Sequence, residues 1–156
     1  MPGDELVRTI WPYMSVFFSV EIYEWMDREL GMPNVCDAFN FFFFDPLDPN
    51  APLDEIVEGL ARQSMEIPMT RQSEAFADAF LDDAVCMARK FDADCAIFAV
   101  HIGCKQSVSI IQMLREILRD EVGIPMLTIE LDIGDKRMTS AAAIKRQISD
   151  FRATVM

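Results

Sequence analysis

The sequence is poor in glycine, histidine and basic residues, and each shortage excludes a class of site. Only six glycines and one histidine, His101, occur among 156 residues. Neither GxGxxG nor GxxxxGK[ST] is present, which argues against the glycine-rich phosphate loops of nucleotide-binding proteins. The 14 basic residues are outnumbered by 26 acidic ones, giving a formal net charge of −12. A field of this sign repels nucleic acid and anionic membrane surfaces, so neither is expected as a partner.

The sequence also lacks long apolar runs and a targeting signal. No run approaches the roughly 20 apolar residues that a membrane-spanning helix needs. The first residues, Met1–Glu5, place no basic segment before an apolar one, as a secretory signal would. We therefore expect a soluble cytoplasmic protein.

The cysteines are few and widely spaced. They form neither a CxxC pair nor a compact ferredoxin-type run. In a reducing cytoplasm disulfides are not expected, and most of these thiols are predicted to be buried apolar groups. The four are Cys36, Cys86, Cys95 and Cys104.

Apolar periodicity predicts alternating strands and helices along one domain, residues 1–156. The predicted strands are Leu6–Trp11, a strand within Val35–Phe43, Cys95–Ile102 and Met126–Leu131. The predicted helices are Ser15–Leu30, Pro52–Met65, Ser73–Phe91, Ser107–Val122 and Thr139–Thr154. This alternation favours an α/β fold, a parallel sheet with helices on both faces. Right-handed crossovers then give strand order 2-1-3-4, a short three-layer flavodoxin-like sheet.

The predicted strand order also locates a ligand-binding edge. In open parallel sheets, ligands bind beyond the carboxyl ends of the strands, at the point where strand order reverses. Here that point lies between strands one and three. The segments that emerge there are Trp11-Pro12-Tyr13 and His101-Ile102-Gly103-Cys104-Lys105-Gln106-Ser107.

The second of these segments joins the most apolar strand to a strong helix. Gly103 allows a sharp turn or a close approach to a ligand. Cys104 is predicted at the helix N-terminus, where free backbone N–H groups favour the thiolate. Lys105 adds a local positive charge, and the Ser107 hydroxyl can donate or cap. The turn is compatible with a metal-ligating thiolate, with a nucleophile that uses His101 as base, or with plain packing, where His101 is a hydrogen-bonded strand-end residue.

Two other segments have competing interpretations. The run Phe39 to Phe44 holds five phenylalanines, which we interpret as core residues plus an interface surface rather than a ligand-binding wall. The carboxylates Glu130, Asp132 and Asp135 could bind magnesium. An ion pair between Arg137 and a carboxylate is the simpler prediction.

The stretch from His101 to the C-terminus resembles the 2-hydroxyacyl-CoA dehydratase and benzoyl-CoA reductase family, including the 2-hydroxyglutaryl-CoA dehydratase D-component. Arg8 to Asp37 looks more loosely like the start of the same C-terminal domain. The resemblance rests on the order and spacing of connected pieces, which cover most of the chain. They are the segment His101 to Gln106, Leu114-Arg115-Glu116 running to Gly123-Ile124-Pro125, the strand Leu127 to Asp132, Asp135-Lys136-Arg137, and a closing helix with Gln147-Ile148 and Phe151.

The resemblance implies an iron–sulfur lyase that works anaerobically by radical chemistry. Such proteins are pairs of related subunits, in which three cysteines hold a 4Fe-4S cluster between domains. An ATP-hydrolysing activator protein supplies the electron that turns the acyl-CoA substrate into a ketyl radical; in the reductase branch electrons enter an aromatic ring. The resemblance assigns one of the three cysteines to Cys104. His101, Gly103, Lys105, Gln106, Ser107 and Trp11 are expected to line the same site.

The other two ligand cysteines are expected in a preceding domain that this chain does not contain. One thiolate cannot hold a 4Fe-4S cluster. The chain alone is therefore predicted to bind no cluster and to be inactive. It is expected to be either an excised domain or one half of a split subunit. Whether the isolated chain forms a homodimer is left open. The rival hypotheses are a non-catalytic binding or assembly module with a buried Cys104 thiol, and a cysteine enzyme in which His101 hydrogen-bonds the Cys104 sulfur.

Overall fold

A computed structural model describes residues 6–41, 44–74 and 76–155 of the chain. Strands and helices alternate through these ranges, as the apolar periodicity predicts. The strands are β1 (Thr9–Trp11), β2 (Asn34–Asp37), β3 (Cys95–His101) and β4 (Met126–Leu131). The helices are α1 (Glu21–Leu30), α2 (Leu53–Glu66), α3 (Pro68–Glu74), α4 (Phe76–Lys90), α5 (Lys105–Ile117) and α6 (Ala141–Val155).

The four strands form one parallel sheet in the order β2-β1-β3-β4, which confirms the predicted topology. Thr9 of β1 lies between Asn34 of β2 and Cys95 of β3. Because strand order reverses between β1 and β3, the chain segments that leave the carboxyl ends of these two strands run toward opposite sides of the sheet.

The sheet separates two core layers, and β3 contributes alternate side chains to each because successive residues of a strand point to opposite faces. Phe98 and Val100 join a layer formed with α4 and α5. Ile97 and Ala99 join a layer formed with α1 and α6. Burial on both faces explains why β3 is nearly all apolar.

Two early boundaries differ from prediction. The helix predicted from Ser15 begins only at Glu21, because the preceding residues form turns in which Ser19 N donates to Val16 O at 3.1 Å. The strand predicted within Val35–Phe43 begins one residue earlier, at Asn34, and ends at Asp37, whose carboxylate turns the chain by accepting backbone hydrogen bonds. Phe42 and Phe43 lie outside the described residues.

The helices after β2 also differ in their bounds. In place of one helix over Ser73–Phe91 there are α3, which begins at Pro68 with proline in a favoured first-turn position, and α4. No described residue of α2 is buried, so this helix lies outside both core layers. No helix within the described ranges is long and apolar enough to cross a membrane.

Gly123 ends the helical segment that follows α5. Leu118–Val122 forms a turn of π-helix after α5, and Gly123 stops it with φ 84°, its N–H donating to Leu118 O. A Cβ at Gly123 would meet nothing within 4 Å, so only the backbone conformation disfavours other residues there.

We expect Gly123→Ala to lower the free energy of unfolding by about 1 kcal/mol, because alanine is strained at positive φ. Urea denaturation measures the change. Gly134→Ala is the control, since its Cβ would make only an ordinary 3.7 Å contact with Asp132. Equal losses in the two variants would contradict the assignment of the cost to backbone strain.

Candidate functional site

Cys104 caps the N-terminus of α5, as the strand–glycine–cysteine–helix order predicts. Its backbone is extended, with φ −95° and ψ 98°, and its Sγ accepts from the backbone N–H of Ser107 at 3.5 Å. The buried Ser107 hydroxyl donates to Cys104 O at 3.1 Å. The Cys104 N–H donates to His101 O at 2.9 Å and closes the turn after β3. The turn therefore fixes the sulfur at the carboxyl edge of the sheet.

The surroundings of Cys104 favour its thiolate. Partial burial opposes ionisation, but hydrogen bonds from the Ser107 side chain and backbone, the Tyr13 hydroxyl and the Gln106 backbone together hold the pKa of Cys104 below its ordinary value. Cys104 is half-buried and remains accessible. A thiol of this kind can ligate a metal or react as a nucleophile.

Tyr13 brings a second element to the sulfur. It follows β1, and its hydroxyl oxygen lies 3.6 Å from Cys104 Sγ. Burial, with the hydrogen bond to Cys104 and the charge of that sulfur, raises the pKa of Tyr13 to about 12. The segment Trp11-Pro12-Tyr13 was predicted to emerge here, but Trp11 was taken as the lining residue, and Tyr13 is the one that reaches the sulfur.

Trp11 lies in the core layer beneath α1. Its side chain is fully buried and its ring packs edge-on against Tyr23 at 5.0 Å. Residues two apart, such as Trp11 and Tyr13, point to the same face only while a strand continues regularly. Because β1 ends at Trp11, the Tyr13 side chain does not have to follow that of Trp11. The chain beyond it turns, and Met14 makes an antiparallel bridge with Ala99.

The remaining predicted lining residues surround the turn. Lys105 and Gln106 are exposed in the first turn of α5, and Ser107 is buried beneath the sulfur. A Cβ at Gly103 would lie 2.8 Å from His101 Nε2, so glycine allows the imidazole to lie against the turn. Among the described residues, no hydrogen bond joins the His101 ring to Cys104 Sγ, and His101 Nδ1 is buried without a partner. This arrangement gives no support to a Cys104–His101 nucleophile pair.

The other three cysteines lie elsewhere. Cys36 is buried in β2, and Cys95 is buried at the opposite end of β3 from His101. Burial raises the pKa of each of these two thiols to about 11. Cys86 is exposed on α4, contrary to the expectation that most of the thiols are buried. Among the described residues, Cys104 is thus the only accessible cysteine at the carboxyl edge, since Cys36, one residue before the end of β2, is buried.

The carboxylates after β4 form an ion pair, which confirms the simpler prediction. Arg137 donates through Nε and Nη2 to both Asp135 oxygens, at 2.7–3.1 Å. This pairing lowers the pKa of Asp135. Asp132 Oδ1 instead accepts the backbone N–H groups of Gly134 and Asp135. The loop is ordered by hydrogen bonds and an ion pair among its own residues.

The phenylalanine run divides between core and surface. Phe41 is buried, whereas Phe39 is exposed and packs edge-on against exposed Phe17 at 5.8 Å. Phe17 follows β1 and Phe39 follows β2, so both belong to the carboxyl edge. Ile102, which follows β3, adds a further exposed apolar side chain. The carboxyl edge therefore exposes apolar side chains as well as the polar Lys105 and Gln106.

Cys104 suits one position in a metal site, but the part of the chain that the structure describes does not contain a complete one. Among the described residues, no group of three or more histidine, cysteine or acidic side chains could hold a metal ion. All four cysteines lie within those residues. An iron–sulfur cluster needs cysteines on most of its irons, so the donors of this chain alone do not fit one.

The fold and this edge define a flavodoxin-like α/β domain with a single activated cysteine at its topological switch point. A family model described as 2-hydroxyglutaryl-CoA dehydratase, D-component, matches residues 2–153. The chain belongs to this family of 2-hydroxyacyl-CoA dehydratase-type subunits. A comparison with curated proteins finds no match.

Proposed function

We propose that this chain is the part of a 2-hydroxyacyl-CoA dehydratase subunit that provides one thiolate ligand, Cys104, to a shared 4Fe-4S cluster. The observation that carries the proposal is the placement of Cys104. It is the one accessible cysteine at the switch point, and the amide dipoles of α5 and the Tyr13 hydroxyl stabilise its thiolate. The family match supports the reaction class.

The remaining ligands must come from protein outside this chain, because Cys36 and Cys95 are buried in strands with raised pKa values and Cys86 lies on α4. The exposed apolar side chains of the carboxyl edge, Phe17, Phe39 and Ile102, suit contact with that protein. The proposed partners are a preceding domain, a related second subunit and an ATP-dependent activator protein, all cytoplasmic.

The acyl-CoA substrate is proposed to approach the same edge. Lys105 and Gln106 are exposed beside the sulfur, and Lys105 is a cation in a strongly acidic chain. His101 and Gly103 form the adjoining wall. Trp11 is left out of the proposed lining because its side chain is fully buried.

The test is an anaerobic purification of the chain together with its partner component. We expect Cys104→Ser to abolish the visible absorption and reduced-state EPR signal of the cluster and to lower the iron content. Serine is a favoured helix N-cap, so the variant should keep the fold. Cys86→Ser, which removes an exposed thiol on α4, should keep the full iron content.

An unchanged cluster in Cys104→Ser would remove Cys104 from the site. The chain would then be a non-catalytic docking or assembly module of the same fold. Thermal unfolding of each variant, measured alongside, separates loss of a ligand from loss of structure.

A further inference from the structure

Helix α2 carries a row of large apolar side chains on its outer surface. Leu53, Val57 and Leu60 are 76%, 56% and 52% exposed. Their spacing of four and then three residues places them on one face of the helix, and we call them the apolar row. A surface helix normally turns such a row toward the core and its charged residues toward water. The apolar row of α2 is therefore an unpartnered helix face.

A different side of α2 holds the helix to the rest of the domain. Gly59 lies so close to the Leu47 side chain that a Cβ on it would be 2.6 Å from Leu47 Cδ2. Gln63 Nε2 donates to the backbone carbonyl of Asp45 at 2.9 Å. Turning the apolar row inward would break both contacts. The packing of α2 thus fixes the row on the outside.

Acidic side chains border the apolar row. α2 has four acidic residues against one basic residue, Arg62. Asp54 and Glu58, four positions apart, lie along one side of the row, and we call them the acidic flank. Arg62 is already paired with Glu58, with Nη2 2.9 Å from Oε1. The face is therefore apolar along its middle and negative at its border, in a chain whose net charge is −12.

This charge decides which kind of partner fits the face. A second copy of the chain would bring its own acidic flank against the first, and an anionic membrane surface would be repelled. An amphipathic helix with lysine or arginine beside its apolar side chains would cover the row and complement the flank. Met65 and Met69, close by in the sequence, are also exposed, and the flexible methionine side chain adapts to such partners.

We propose that α2 is a docking helix for a basic amphipathic helix of a partner protein, which covers the apolar row and pairs its cations with the acidic flank. α2 has 14 residues, so the contact extends over roughly 20 Å at the rise of an α-helix. Docking at α2 goes beyond the proposed function and is independent of whether Cys104 ligates a cluster.

The experiment measures binding of a fluorescent leucine–lysine amphipathic helix, as long as α2, to the chain by fluorescence anisotropy. Physiological ionic strength is used because salt screens the long-range attraction of the net charge. We expect saturable binding of this peptide and no binding of a leucine–glutamate helix with the same apolar pattern. Equal binding of the two peptides would overturn the proposal.

Val57→Ser combined with Leu60→Ser tests the apolar row. The loss of two apolar side chains from the interface should raise the Kd of the leucine–lysine peptide by about tenfold or more. The matched control combines Val108→Ser with Met113→Ser, which removes two similarly exposed apolar side chains from α5 and should leave the Kd unchanged. Equal weakening in the two double variants would contradict docking at α2.

Asp54→Asn combined with Glu58→Gln tests the acidic flank. We expect the Kd to rise roughly fivefold, since exposed ion pairs each contribute modestly. The control combines Glu116→Gln with Asp120→Asn, which removes the same charge at the same spacing from another exposed helical segment and should have no effect. If both double variants weakened binding equally, the peptide would be following the net charge alone, and the proposal would fail.

Two measurements on the chain without peptide test the other occupants of this face. Analytical ultracentrifugation should give the same sedimentation coefficient for the wild type and for Val57→Ser with Leu60→Ser. A wild-type dimer that this variant dissociates would assign the face to a second copy and refute the proposal. Binding of the wild type, but not of the variant, to neutral phosphatidylcholine vesicles would refute it equally. Far-UV circular dichroism checks that each variant keeps its helices.

Discussion

Replacing Phe98 with alanine is expected to lower the free energy of unfolding by about 3–5 kcal/mol, the usual range for a large aromatic side chain removed from a core. Phe98 lies in the middle of β3 with no exposed surface. Its ring packs against Phe80 at 5.8 Å and Tyr13 at 5.7 Å. The substitution removes both contacts and leaves a cavity that fixed strands on either side cannot fill. Urea denaturation, monitored by far-UV circular dichroism, gives the change.

Phe17→Ala is the matched control for Phe98. Phe17 is 51% exposed and packs only at the surface against Phe39. Its removal should cost less than about 1 kcal/mol, as surface substitutions usually do. If the two variants lost similar amounts of unfolding free energy, the core layer formed with α4 and α5 would not be the stabilising core that its burial indicates.

Asp37→Ala is expected to lower the free energy of unfolding by about 2–3 kcal/mol, because it leaves several donors without an acceptor. Asp37 ends β2 and is buried. Its Oδ1 accepts the backbone N–H of Phe39 at 2.9 Å and that of Asn40 at 3.2 Å, and its Oδ2 accepts Asn40 Nδ2 at 2.8 Å. Thermal or urea unfolding measures the loss.

The control for Asp37 is an exposed turn of the same kind. Asp48 Oδ1 accepts the backbone N–H of Asn50 at 2.9 Å, and water can replace this bond. Asp48→Ala should therefore cost less than about 1 kcal/mol. If Asp37→Ala were equally mild, the turn after β2 would have to be held by something other than its carboxylate.

The topology could be predicted because it follows from local patterns combined with general chain geometry. Apolar runs located β3 and β4, and the bounds of β4 matched the prediction. Right-handed crossovers then left order 2-1-3-4 as the natural arrangement. The ends of β1, β2 and α1 could not be predicted, because they depend on hydrogen bonds such as those of Asp37, which form only once the chain has turned.

The candidate site, like the fold, could be predicted where it depends on neighbouring residues and not where it depends on distant ones. Cys104 at the start of α5 follows from neighbouring residues, since a strand, a glycine and a helix succeed one another within a few positions. Tyr13 could not be selected over Trp11 from sequence. The direction of each side chain depends on where β1 stops and on a bridge between Met14 and Ala99, far along the chain.

The parallel pairing of β1 with β3 constrains the time at which the site can form. Thr9 and Cys95 are 86 positions apart, and the Tyr13 hydroxyl and Cys104 sulfur are 91 apart. Closing so long a loop is slow, and contacts of this separation typically form late in folding. During translation, β1 cannot pair with β3 until Cys95–His101 have left the ribosome. The contact between the Tyr13 hydroxyl and the Cys104 sulfur is thus a late product of folding, and before β1 pairs with β3 the sulfur has only its local hydrogen bonds within the first turn of α5.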